Sequence, residues 1–500
     1  MRKIGLGIDH LWPLIILAGL AFYISLVPEP PNDLWWHLKI GEHIYTTHAV
    51  PATNMFGWTL PEDAPFTYGA WLGEYLFYSL YRLGGLEFLF LARTVLAIVT
   101  FGLVGYEAQR RSGSWRLASL AIALAGLMTL NNLIVRPQNW SWLPFMVYYV
   151  LLSRYADGEL SRYWLLLCPL LMIFWVNAHG AFVLAPVLLG IFFLGEALRT
   201  WWKWPGTLPW RDVVWIGIIG ALTLLATVVN PQFLRIFTYV LDLMTDPPSQ
   251  GLIVEWQSPA PEGIANIVFF VSILLFLLVF AYARYHPSPT ETILLAGFLW
   301  LAWSGQRYVV WFALVAMPIL VRALSMLVPK RYLFASALKN SLNLILALLV
   351  WVPVFLAQPW FAEQLPLPET YWEKVWRGSK VGPLLSVETP VGAVQYLKQH
   401  PGGNLFNDMG YGSYLIWAIP EQGVFVDPRV ELYPYEQWLD YISIGNGVRY
   451  NALLRSYGAD RILLSLKNQD ILVELLEDDP LWRKEYQDSY AQIWARHLSE

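Results

Sequence analysis

A polytopic α-helical membrane protein with a C-terminal α/β soluble domain is the fold class this sequence predicts, and three observations predict it. Of 500 residues, 56% are hydrophobic and 14% charged, with a mean hydropathy of +0.44, whereas soluble domains carry about 25% charged residues. The apolar residues collect in about eleven windows that reach or approach the roughly 20 helical residues needed to cross a hydrocarbon core. After Ala357 these windows stop, charge rises, and helix and strand patterns alternate. The 27 Trp residues suit membrane interfaces, where an apolar ring with one N–H donor is at home.

The first span, 11–27, follows Arg2 and Lys3. Val27-Pro28-Glu29-Pro30-Pro31 offers no small-x-small cleavage site, so the segment reads as a retained signal anchor. Residues 28–66 form a first outer loop, and 67–84, with aromatic and polar groups at helical spacing, an interfacial helix. Further spans are expected at 86–106, 117–135, 139–153, 163–176, 180–198, 212–229, 265–283, 290–304, 308–321 and 341–357. The membrane domain is thus 1–357, followed by a Pro-rich linker over 358–386 and a domain over 387–500.

Charge orients the chain. With the N-terminus cytoplasmic, inner loops carry fifteen basic residues: Arg2, Lys3, Arg110, Arg111, Arg116, Arg154, Arg162, Arg199, Lys203, Arg211, Arg284, Arg322, Lys330, Arg331 and Lys339. Short outer segments carry four, namely Lys39, Arg136, Arg235 and Arg307. That asymmetry is the positive-inside signature, and an odd number of spans puts 387–500 outside a plasma membrane.

The C-terminal pattern predicts helices at 392–400, 413–419, 436–444 and 469–477, and strands at 404–407, 424–427, 461–466 and 491–496, as in a largely parallel sheet. Gly410 and Gly412 sit between strand and helix as in a phosphate-cradling turn, but there is no Gly-x-Gly-x-x-Gly or Gly-Lys-[Ser/Thr]. Asp408, Asp427 and Arg429 fall near strand ends and could hold a sugar or a metal; an Asp427–Arg429 pairing that fixes the loop is the plainer alternative. The net charge of -4 gives no polybasic footprint for nucleic acid. The single cysteine, Cys168, lies in an apolar run and reads as a small buried side chain.

The polar residues that interrupt the apolar pattern gather at the outer boundary: Asp33, His37, Arg136, Asn177, His179, Asn230, Glu255 and Arg307. Charges at membrane depth are costly and mark cavities or substrate paths. If Asp33 caps a helix, Trp36, Ile40 and Ile44 share one face and His37 falls elsewhere. Asn177 and Asn230 read as helix-end caps.

Asp33-Leu-Trp-Trp-His-Leu with Gly41 and Pro51, Trp71-Leu-Gly-Glu74, Arg136-Pro137-Gln138, Asn177-Ala-His179-Gly180, Asn230-Pro231 and Glu255-Trp256 occur in that order. Over about residues 1–330 this series resembles the membrane glycosyltransferases of the GT-C superfamily, of the kind that includes protein mannosyltransferases and lipid A aminoarabinose transferases. The resemblance implies a GT-C-like membrane domain and transfer of a sugar from a polyprenyl-phosphate donor to a glycan, lipid or protein acceptor at the outer face. It implies Asp33 as catalytic base, with Trp36, His37, Glu74, Arg136, His179, Glu255 and Arg307 about the substrates. Arginine suits the donor phosphate because its planar fork gives two parallel hydrogen bonds. Snorkelling to head groups, or an ion pair with an outer-loop acid such as Glu255, is the plainer role for Arg136 and Arg307.

No cofactor is demanded by the sequence. A divalent metal would neutralise donor phosphates, and Asp33 and His37, with His179, are the residues that could hold it, although no His-x-x-x-His or Cys pair exists. A hydrogen-bonded histidine is the plainer reading.

Where relatives often carry paired acids, Asn32 precedes Asp33. That departure motivates an alternative: a non-catalytic GT-C-like scaffold whose C-terminal module docks a membrane protein partner. A lipid transporter ranks last, since no half-repeat and no mid-membrane charge pattern is evident.

Overall fold

The computed structural model describes residues 7–333, 341–378 and 383–497. Arg2, Lys3 and Lys339 of the inner basic set, and parts of the 358–386 linker and of the C-terminus, lie outside them. The chain forms two compact units: Met1–Val27 with Glu87–Phe237 and Ile253–Leu365, and Pro28–Leu86 with Thr238–Leu252 and Pro366–Glu500.

The first unit is helical. Its main helices are Leu11–Leu26, the part of Trp71–Ser112 after a break, Trp115–Met128, Asn139–Ala156, Leu167–Ala178, Leu184–Trp201, Trp210–Ala226, Gly263–Tyr282, Pro289–Ser304, Val309–Leu324 and Ser341–Val350. The break falls at Gly84 and Gly85, where Gly85 has φ +71°, a backbone that only glycine adopts without cost. Among the described residues five helices are long and apolar enough to cross a membrane: Ile8–Leu26, Trp71–Ser112, Gly180–Trp201, Gly263–Tyr282 and Gln306–Leu324. Trp115–Met128, Arg162–Ala178 and Leu342–Leu356 are shorter apolar helices.

Burial differs between helices as their surroundings require. In Val309–Leu324 every residue but Arg322 and Leu324 is buried, so this helix runs through the middle of its unit. Gly263–Tyr282 instead exposes Ile264, Ile267, Val271, Leu274, Leu277 and Leu278, a stripe at helical spacing that suits lipid. At the basic end, Glu107 is fully buried and takes hydrogen bonds from Arg110 at 2.7 Å and Arg111 at 2.5 Å. Arg111 also reaches Glu291 at 2.8 Å and Arg322 reaches it at 3.1 Å. Residues that read only as inner-loop charges are thus members of one ion-pair network that ties three helices together.

The second unit is an α/β body. Its four strands are β1 (Leu405–Asn407), β2 (Arg461–Ser465), β3 (Trp482–Gln487) and β4 (Ala491–Arg496), in the order β1-β2-β4-β3. Only β1 and β2 are parallel; β4 pairs antiparallel with both β2 and β3. The expected parallel sheet is therefore mixed. The cause is a tight reversal in which Asp488 accepts from the backbone N–H groups of Tyr490 and Ala491, both at 2.8 Å, and returns the chain as a hairpin. Residues 424–427 form no strand, only an isolated bridge between Gly57 and Val424. Helices Val391–Gln399, Met409–Ala418, Tyr435–Gly445, Tyr450–Tyr457 and Asp470–Glu477 flank the sheet.

The core of this unit is built from distant stretches of chain. Trp36, Ile40 and Ile44 of helix Leu34–Thr47, with Phe56, Phe66 and Tyr68, pack against Leu397, Leu405, Leu415, Ile416, Leu463 and Ile493. Each such apolar side chain contributes about 1.5–3 kcal/mol on burial.

Candidate functional site

The residues singled out from sequence fall into two groups, one in each unit. In the α/β unit, Asp33, Trp36, His37 and Glu74 come together around helix Leu34–Thr47. The turn that leads into it is pinned by Glu29, whose N–H donates to Leu384 O at 2.8 Å and whose carbonyl accepts from Ser386 at 2.9 Å. Asp33 occupies the N-cap position, and its carbonyl accepts from the N–H of His37 at 3.3 Å. Its carboxylate makes no cap hydrogen bond. Asn32 serves the turn instead, accepting from Leu34 N–H at 3.2 Å. The half-buried Asp33 side chain heads the helix at an end whose dipole favours negative charge.

Two faces hold this helix. Trp36, Ile40 and Ile44 face the α/β core, and the backbone N–H of Trp36 donates to Ser413 Oγ at 3.1 Å. His37 and Gly41, one turn apart, face the helix that begins at Trp71. Gly41 permits that approach, since a Cβ there would meet the Glu74 carbonyl oxygen at 2.2 Å. Glu74, fully buried, then lies 2.8 Å from His37 Nδ1.

Behind Trp36 stands a pair whose enclosure by Tyr68, Tyr433 and aromatic rings is not legible in the sequence. Asp427 and Arg429 are completely buried and paired, with Arg429 Nη2 to Asp427 Oδ2 at 2.7 Å. Tyr433 O–H donates to Asp427 at 2.6 Å, and Arg429 donates to Tyr68 Oη at 3.1 Å. The guanidinium lies 5.4–5.9 Å from the ring centres of Phe56, Phe66 and Trp36. Of the roles weighed for Asp427 and Arg429, this geometry fits the loop-fixing pair: every charge is matched and enclosed. Gly410 and Gly412 have packing reasons too. A Cβ on Gly412 would meet Val426 O at 2.3 Å, and one on Gly410 would meet Pro31 O at 2.8 Å. Asp408 caps the helix that holds both, Met409–Ala418, accepting from Gly410 and Tyr411 N–H at 2.9 and 3.2 Å.

In the helical unit, Arg136, Glu255 and Arg307 meet, with His179 set on a network of its own. Arg136 and Glu255 form a close ion pair. Arg307 lies over the Trp256 ring, 4.3 Å from its centre. Burial alone raises the Glu255 carboxyl, but the charge and hydrogen bond of Arg136, with the charge of Arg307, outweigh it and hold Glu255 below the ordinary carboxylate value. Two guanidiniums thus face one carboxylate, and among the described residues Arg307 makes no ion pair. His179 Nδ1 accepts from Ala181 N–H at 3.1 Å and lies 2.9 Å from Ser141 Oγ, which itself accepts from Trp175 Nε1 at 2.8 Å. This network assigns the proton to Nε2. Asn177 donates to Ile173 O and Val229 O, both at 2.8 Å, and Asn230 accepts from Gln232 N–H at 2.6 Å, so both secure helix ends. Among the described residues there is no group of three or more His, Cys, Asp or Glu side chains that could hold a metal.

No protein-family model and no curated protein matches the chain. Solved structures do. They include the oligosaccharyltransferase AglB from Archaeoglobus fulgidus in complex with an inhibitory peptide and a dolichol-phosphate, with 13% identity, a TM-score of 0.53, and coverage of 98% of this chain and 74% of that one. The apo form of the oligosaccharyltransferase from the same organism gives 13% identity and a TM-score of 0.51, covering 92% and 70%. ArnT from Cupriavidus metallidurans in its apo state gives 14% identity and a TM-score of 0.50, covering 96% and 97%. These are membrane glycosyltransferases of the GT-C superfamily, and the chain has the GT-C fold. At these identities the likeness is one of fold.

Proposed function

We propose that the protein is a membrane glycosyltransferase that moves a sugar from a polyprenyl-phosphate donor to an acceptor at the outer face of the plasma membrane. The observation that carries this reading is the place of Asp33: a half-buried carboxylate at the head of a helix clamped on two faces, in a chain of GT-C fold. The AglB structure in complex with a dolichol-phosphate supports the class of donor. Eleven spans, a cytoplasmic N-terminus and an exoplasmic domain over 387–500 complete the proposal, supported by the basic residues concentrated in the inner loops.

In the proposed reaction the Asp33 carboxylate takes the proton of an acceptor hydroxyl or amine as that atom attacks the anomeric carbon. The bond from that carbon to the phosphate oxygen breaks, polyprenyl phosphate leaves, and configuration inverts. A positioned carboxylate supplies about 10²- to 10⁴-fold in such a step. Charge that develops on the departing phosphate falls to Arg136 and Arg307, of which Arg307 carries no ion pair among the described residues. Trp36, His37 and Glu74 act through position: they fix the helix that Asp33 heads. His179 holds its turn by accepting at Nδ1.

A non-catalytic scaffold is the second reading, favoured by Asn32, which stands beside Asp33 as a turn residue rather than a second acid. Sugar transfer by the purified protein, with Asp33→Asn beside it, separates the two: a transferase loses turnover in the variant with its melting temperature kept, and a scaffold transfers nothing in either form.

A further inference from the structure

We propose that a cavity in the α/β unit is a subsite for a neutral pyranose ring of the acceptor, an inference that rests on the transferase reading above. The cavity measures about 350 Å³, within the range of small-molecule sites. It opens where the parallel pair ends: Asp408 follows β1, while Ser465 closes β2 and Lys467 and Asn468 follow it. Ligands of α/β sheets bind beyond the carboxyl ends of parallel strands, where loops converge without competing for the ladder.

The lining has the chemistry of a sugar site. The half-buried Tyr441 and Tyr490 supply ring surface for the C–H faces of a pyranose, while Tyr411 is buried and donates to Tyr490 O at 3.0 Å. Asp408 is 97% buried by its 3% exposure, and its second oxygen accepts from Asn468 Nδ2 at 3.2 Å, which pairs a carboxylate and an amide in the way vicinal hydroxyls require. Tyr441 Oη accepts from Met409 N–H at 3.0 Å, and among the described residues its own proton has no acceptor. Lys467 and Glu388 are ion-paired at 2.8 Å and exposed. With Asp408 they leave the cavity with no excess of positive charge, which disfavours phosphate and suits a neutral polyhydroxyl ligand.

Position ties the cavity to the proposed chemistry. Pro30 and Pro31 line it, and the Pro31 carbonyl packs so closely on Gly410 that no side chain fits between them. Asp33 follows two residues later. A ring bound here anchors an acceptor beside the segment that carries the base.

The test is saturation-transfer NMR on the full-length protein in lipid nanodiscs, without donor, using the methyl pyranosides of mannose, glucose, galactose and N-acetylglucosamine as probes. At least one is expected to bind saturably. Asn468→Ala and the half-buried Tyr490→Ala are each expected to weaken it about tenfold, the order of one lost hydrogen bond or stacking surface. No saturable binding by any probe, or equal binding by both cavity variants at unchanged melting temperature, overturns the subsite. Because binding is read without donor, loss of the transferase reading and loss of the subsite are separate results.

Discussion

The backbone of Gly41 lies against the carbonyl of Glu74, so that a Cβ at residue 41 would stand 2.2 Å from that oxygen. A backbone contact of this kind cannot be relieved by a rotamer change; the two helices must part. Gly41→Ala is expected to destabilise the protein by about 1–3 kcal/mol, the usual cost of overpacking, seen as a lower melting temperature. An unchanged melting temperature would show that the helices are not held at this distance.

The same crossing sets His37 Nδ1 2.8 Å from Glu74 in a buried place. Glu74→Gln keeps a hydrogen-bonding partner there, and Glu74→Leu removes it at a cost of about 1–3 kcal/mol. Chemical unfolding should rank the three proteins as parent, Gln variant, Leu variant. A Leu variant as stable as the parent contradicts the role given to this contact.

Asp427 and Arg429 carry opposite charges with no access to water. Removing one partner strands the other, which costs about 3–5 kcal/mol, whereas replacing both by apolar residues of similar volume is far milder. Asp427→Asn is therefore expected to unfold at markedly lower denaturant than Asp427→Leu combined with Arg429→Met. Additive losses in the double variant would mean that the two residues are not coupled.

Glu431 gives a pH dependence. Burial pushes its carboxyl up to about 7 from an ordinary 4.5, against the hydrogen bond it accepts from Tyr239. The folded state then holds the proton more tightly than the unfolded chain does. Its contribution is complete below the ordinary value and is lost as pH rises through about 7. The parent's melting temperature should fall more steeply between about pH 5 and pH 8 than that of Glu431→Gln. Parallel slopes would refute the assignment.

Arg307 lies over Trp256 with no ion pair among the described residues, while Arg136 is closely paired with Glu255. If Arg307 meets the donor phosphate, Arg307→Ala lowers kcat/KM by about tenfold or more, the worth of a hydrogen bond to a charged group, with the melting temperature kept. Equal kcat/KM would assign Arg307 to packing on Trp256 alone.

How much of this was written in the sequence depends on the distance over which each feature is decided. Membrane character was legible because apolar windows are local, and the Trp36, Ile40 and Ile44 face because it follows from helical spacing once Asp33 is set at the start. The partner of that face was not, since no local signal says that helix Leu34–Thr47 packs on Leu415 and Ile493, far along the chain. Gly41 stands out in sequence only as part of a motif; its reason, the Glu74 carbonyl, exists only in three dimensions. Likewise Arg110, Arg111 and Arg322 read as topological charges, and burial turns them into partners of Glu107 and Glu291. The mixed sheet escaped because strand β3 alternates weakly and its reversal rests on the single side chain of Asp488. The ion pair of Asp427 with Arg429 could be weighed from its spacing of two residues; its aromatic enclosure could not.

Asp33 bears the central claim, and sugar transfer tests it most directly. The purified protein in lipid would be offered a panel of polyprenyl-phosphate sugars with candidate acceptors, and Asp33→Asn would be run beside it with its melting temperature checked. Transfer by the parent that disappears in a folded Asp33→Asn is the predicted result. Transfer that continues undiminished in the variant would contradict the assignment of Asp33 as the base.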